Sequence, residues 1–140
     1  MDFDLNFWAV LLCGVISMVV GGLWYGPLLG KPWMREMGFD KLPVEELERM
    51  KQKAMRIAYP QQFVLALVMA YVFAHILLVF EADSVIMGLQ GAFWTWLGFI
   101  VPVKYGETLW GNKSLKLFAI DAIYYLVLLS LFAVVLVKMA

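Results

Sequence analysis

The chain has almost none of the residues from which most catalytic and metal sites are built. Its 140 residues include one cysteine and one histidine, and only 16% are charged. With Cys13 alone, no intramolecular disulfide can form, and redox chemistry that needs a cysteine pair is excluded. His75 has no Cys, Glu or second His at ligand spacing, so no metal or haem site is expected. No Lys or Arg precedes the first apolar run, whose leading charges are Asp2 and Asp4. A secretory signal would begin with a basic segment and close on a small-x-small cleavage pattern, so this run is expected to remain as a helix. Nucleotide-binding loops, nucleophile elbows and nucleic-acid patches are missing too, which leaves no expected cofactor and no nucleic-acid partner.

What is present is hydrophobic length. Apolar residues make up 64% of the chain, too many for a soluble domain of this size. Leu5 to Gly30, Ile57 to Phe80 and Ser84 to Val103 carry no charge, and Leu117 to Val137 carries only Asp121. A helix needs ~20 residues to cross a ~30 Å hydrocarbon core, so four spans fit, over about residues 5–25, 60–80, 85–103 and 116–137. The expected fold is all-α: residues 1–140 form a single membrane domain, a four-helix bundle with the lipid bilayer as its first partner.

Charge placement sets an orientation. Seven basic residues lie in the 31–56 loop, Lys104, Lys113 and Lys116 lie in the third loop, and none surrounds the short turn at Glu81 and Asp83. The positive-inside bias puts the first and third loops in the cytoplasm of a bacterial inner membrane, with both termini outside. Trp24, Tyr25 and Trp33 then fall at the inner boundary of span one, with Gly26 and Pro27 expected to break the helix there.

The first loop is long enough for a helix of its own, about residues 43–57. Pro43 suits a first helical position, Glu45 and Glu46 complement the positive end of the helix dipole, and Lys51, Lys53 and Arg56 the negative end. Val44, Leu47, Met50, Ala54 and Ile57 make an apolar stripe, as in an amphipathic helix lying on the membrane surface or on its own bundle, or docking a partner. Tyr59 and Pro60 predict a bend into span two. "LWYGPLLGKPW" and "PVKYGETLWGNKS" both place Tyr-Gly at an inner exit, with a Gly and a Lys close behind. Either a tandem two-helix repeat or convergent interface chemistry would produce that echo.

Ionisable groups inside a bilayer are rare and costly, which singles out Asp121. It lies about four residues inside the inner boundary, where Lys104, Tyr25 or a backbone amide near Gly26 is the expected partner. Glu107 and Lys104 are three apart and suit an ion pair. With Trp33, these residues make one polar cluster at one depth. His75 lies nearer the outer side, too far from Asp121 for a dyad, and is expected to satisfy a neighbouring Tyr or carbonyl. Gly22, Gly26 and Gly30 form a four-residue row, and Gly91 and Gly98 a second small-residue face; both suit helix packing or oligomerisation.

"LWYGPLLGKPWMREMG" together with "GFIVPVKYGETLWGNKSLKLFAIDAIYYLV" resembles an uncharacterised bacterial membrane family, domain of unknown function 1761. Trp24 to Pro27 and Gly30 to Trp33 are the most specific part of the resemblance, which extends over essentially the whole chain. It implies a small integral membrane protein of about four spans and brings no catalytic residue with it. Two functions stay open. One is a non-enzymatic homo-oligomer that moves a small solute or ion past Asp121. The other is an enzyme or binding protein for a lipid or quinone, with its site at the inner boundary.

Overall fold

The computed structural model describes residues 5–140; Asp2 and Asp4, on which the reading of the first helix partly rests, lie outside them. Five helices follow one another: α1 (Phe7–Leu28), α2 (Gly30–Glu36), α3 (Val44–Val79), α4 (Val85–Trp110) and α5 (Leu115–Lys138). All but α2 are long and apolar enough to cross a membrane. Their outward faces expose side chains such as Trp8, Val64, Leu65, Trp94 and Phe99, which water would penalise and lipid accepts. The protein is a multi-pass membrane protein.

Local chemistry fixes most helix starts. Asn6 caps α1, its Oδ1 accepting from the Trp8 and Ala9 amides, while its Nδ2 donates to the Met139 carbonyl at 2.7 Å. That second bond ties the start of α1 to the end of α5. Ser84 and Ser114 cap α4 and α5 through their hydroxyls.

The prolines inside the long helices do not break them. Trp24–Leu28, Ala54–Ala58 and Trp96–Ile100 are π turns, closed by amides reaching five residues back: Leu29 to the Trp24 carbonyl, Tyr59 to Ala54 and Val101 to Trp96. Pro27 lies inside the first of these turns, and Pro60 and Pro102 each lie two residues past the end of the others. A proline lacks the N–H that would serve the carbonyl four residues earlier, and the wider turn lets a neighbouring amide take over part of that bonding. The break expected at Gly26 and Pro27 therefore falls at Leu29, where φ is −125° and ψ is 15°.

The same device removes the expected bend at Tyr59 and Pro60. The loop-one helix starts at Val44, with Pro43 extended as its cap rather than in its first turn, and runs without interruption into span two. At 36 residues α3 is about 54 Å long, against a ~30 Å hydrocarbon core, so its first turns stand clear of the membrane. Val44, Met50 and Ile57 on its stripe are exposed rather than laid on the bundle. Spans three and four also run further than expected, to Trp110 and Lys138.

The helices pair by sequence order, α1 against α3 and α4 against α5, and α5 joins the pairs by packing on α1 as well. Phe73, Leu128, Leu129, Phe132 and Cys13 fill the centre, and α5 supplies the largest share of buried residues. The two Tyr-Gly pairs occupy different backbone: Gly26 lies in a π turn and Gly106 within an ordinary α-helical stretch. The local correspondence in the structure is instead Trp-x-Gly, because Trp24 and Trp96 each open a π turn, with Gly26 and Gly98 two residues on.

Candidate functional site

The two tryptophans that open these turns grip the same stretch of α5. Trp24 donates its indole N–H to the Ile120 carbonyl at 3.1 Å, and Trp96 donates to the Ala122 carbonyl at 2.7 Å. Between those carbonyls in sequence, Asp121 accepts a 2.5 Å hydrogen bond from the Tyr25 hydroxyl through Oδ1. Three consecutive residues of α5 are thus held by side chains from the two flanking spans. In lipid, interhelical hydrogen bonds of this kind contribute about 0.6–2 kcal/mol each.

Tyr25 is the hinge of the cluster. Its ring meets Trp33 of α2 and Tyr124 of α5 edge-on, both at 5.3 Å between centroids, and Trp33 in turn meets Phe39 at 5.5 Å. Tyr124 is buried against α1, with its hydroxyl bonded to Ser17 and lodged against Gly21, whose missing Cβ leaves room for it. Asp121, Tyr25, Trp33 and Tyr125 are only partly buried, so the cluster is reachable from its outer side.

Of the expected partners of Asp121, Tyr25 is the one the structure brings to it. Lys104 lies 3.6 Å from Glu107 and stands over the Tyr125 ring at 5.6 Å; Lys113 shares the same glutamate at 3.6 Å. These are partly solvated pairs worth ~0–1 kcal/mol. Asp121 itself makes no ion pair among the described residues. The Thr108 hydroxyl, one residue beyond Glu107, is buried without a hydrogen-bond partner in the described chain, a place where a water would fit the chemistry.

His75 belongs to a different neighbourhood. Its Nδ1 lies 2.9 Å from the Tyr71 carbonyl, and its ring meets Tyr71 at 4.6 Å. Among the described residues, no group of three or more His, Cys, Asp or Glu is placed to hold a metal ion.

The glycines divide in a way their spacing does not reveal. A Cβ on Gly91 would meet Leu77 at 3.0 Å, so it packs α4 on α3, and Gly14 and Gly88 do similar work against Leu67 and Val137. Gly30 sits against the Tyr25 carbonyl of its own turn. Gly22, Gly26 and Gly98 face open space, so within one chain they pack nothing.

Over residues 8–137 the sequence matches the family described as Protein of unknown function (DUF1761). The chain belongs to that family. The match takes in both tryptophan turns and Asp121 and covers all but the first residue of α1 and the last of α5 in this DUF1761 member. No curated protein and no solved structure matches it. The family description brings no activity, so the chemistry of the site rests on its geometry. Sequence reading placed Trp24 in an interfacial belt and passed over Trp96. The signal that finds both is the Trp-x-Gly unit recurring ahead of Pro27 and Pro102.

Proposed function

We propose that the protein is a non-enzymatic component of the bacterial inner membrane that assembles from several copies and handles a small solute or ion at Asp121. Its basic loops face the cytoplasm and its termini the outside. The observation that carries this reading is the state of Asp121: a carboxylate on a membrane-crossing helix with one phenolic donor and no countercharge among the described residues. Such a group is expensive unless a proton or a cation completes it.

Assembly is supported by Gly22, Gly26 and Gly98. In lipid, helices associate through close backbone approach rather than through escape from water, and these open glycine faces allow it. Ser17 is the buried polar residue of a core otherwise apolar among the described residues, which favours passage between copies over passage through one. The second reading is a lipid- or quinone-binding protein or enzyme at the cytoplasmic boundary. It is favoured by the gathering of Tyr25, Trp33, Asp121, Tyr125 and Lys104 at one end of the bundle.

Topology is checked by thiol labelling. Cys13 is enclosed, so introduced thiols dominate the signal. Asp83→Cys should react from outside intact cells and Lys51→Cys should not; the reverse pattern overturns the orientation. For function, Asp121→Asn keeps an acceptor for Tyr25 but loses the charge. Melting temperature and copy number by native mass spectrometry should hold while ion or solute flux in liposomes disappears. A variant that keeps its flux, or loses its assembly, makes Asp121 a structural residue, and a single-copy wild type ends the oligomer reading.

A further inference from the structure

We propose that Asp121 and the rings around it bind an organic ammonium cation, supplied as a free amine or as the amine of a lipid headgroup. This rests on the functional reading of Asp121 and names its ligand class. The carboxylate is partly accessible, takes one hydrogen bond from Tyr25, and lacks an ion pair among the described residues. The nearby lysine is committed elsewhere: Lys104 is 3.6 Å from Glu107, which also holds Lys113. Of the two things that could complete the carboxylate, a proton or a cation, the described residues supply no cation.

The surroundings select the kind of cation. A hard divalent ion needs six or more oxygen ligands, and Asp121 with Tyr25 offers far fewer. The surroundings are instead aromatic: Tyr25 bonds the carboxylate, Trp33 of α2 packs edge-on against Tyr25, and Tyr125 lies one helical turn along α5 from Asp121. Ring faces attract weakly hydrated organic cations, most strongly where water is partly excluded. Tyr125 already serves a cation in this way, with the Lys104 ammonium 5.6 Å from its centroid. A carboxylate for charge and rings for the alkyl groups form the usual recognition chemistry of substituted ammonium ions. The site also sits by the end of the bundle where α2 and the basic loops emerge, the level at which headgroup amines lie.

The test uses the full chain in maltoside micelles, which carry no amine. Tetraethylammonium is titrated while tryptophan fluorescence is read, since Trp33 packs on Tyr25 beside the carboxylate. Wild type should give a saturable change. Asp121→Asn should weaken it about tenfold or more, as loss of a charge-assisted contact implies. Tyr125→Leu should weaken it and Tyr125→Phe should restore it, with melting curves confirming that each variant is folded. Equal binding by wild type and Asp121→Asn, or no saturation by folded wild type, overturns the proposal. If sodium flux still depends on Asp121 when tetraethylammonium fails to bind, the ligand class is wrong although the group is functional. Native mass spectra with phosphatidylethanolamine and phosphatidylglycerol both present then separate the sources. An ethanolamine lipid displaced by tetraethylammonium indicates a headgroup, tetraethylammonium binding without a lipid adduct indicates a free amine, and retention of phosphatidylglycerol alone overturns the idea.

Discussion

Gly30→Ala is expected to lower stability by about 2–3 kcal/mol and to pull apart the aromatic cluster around Asp121. An added Cβ would lie 2.8 Å from the Tyr25 carbonyl oxygen and 3.3 Å from its carbon, and both are backbone atoms. A flexible side-chain tip could swing away, but this turn is held at two points. Trp24 is bonded to the Ile120 carbonyl and Tyr25 to Asp121. Either α2 tilts outward and takes Trp33 off Tyr25, or Tyr25 shifts and leaves Asp121 without its donor. Gly106→Ala is the control, because a Cβ there meets nothing within 4 Å, the position lies inside an α-helical stretch outside the glycine faces assigned to assembly, and alanine is the better helix former. Melting in micelles should show a large loss for Gly30→Ala and at most a few tenths of a kcal/mol for Gly106→Ala, with a tryptophan emission shift in the former only. Equal effects at the two positions would mean that the α1–α2 junction is not the tight point of the fold.

Four spans were legible because bilayer thickness imposes a length that apolar runs report directly. Tyr25 as partner of Asp121 was legible for a related reason, since depth follows from residue count once the boundaries are known. The continuity of α3 was not. Pro60 reads as a bend, yet a single extra residue in the preceding turn keeps the hydrogen bonding going, and no residue type announces that insertion. Lys104 was a reasonable partner for Asp121 by depth, but around the helix it faces Glu107 and Tyr125. The glycine row misled in the same way. Gly22, Gly26 and Gly30 look equivalent by spacing, but the π turn and the break at Leu29 give Gly30 a contact with its own backbone and leave the other two open.

Phe132→Ala is expected to cost about 2–3 kcal/mol, with the native helix pairing retained at low temperature. Phe132 is 0% exposed and lies in the cluster with Phe73, Leu128, Leu129 and Ala133, where α5 faces the other spans. In a water-soluble core, Phe→Ala costs roughly 3–5 kcal/mol, part of it the transfer of the ring from water and part the cavity left behind. The transfer part nearly vanishes here, since the ring of a dissociated helix rests in lipid that is as apolar as the core. The cavity part stays, because tightly packed neighbours relax only partly into the gap. Phe99→Ala separates the two contributions: that ring is 71% exposed on the lipid face, where acyl chains fill whatever the truncation leaves. Unfolding in mixed micelles should therefore show a marked loss at position 132 and almost none at 99. A large loss at both positions would indicate that Phe99 is covered in the assembled protein and would place the contact between copies on α4. Little loss at either would mean that α5 does not hold the core together.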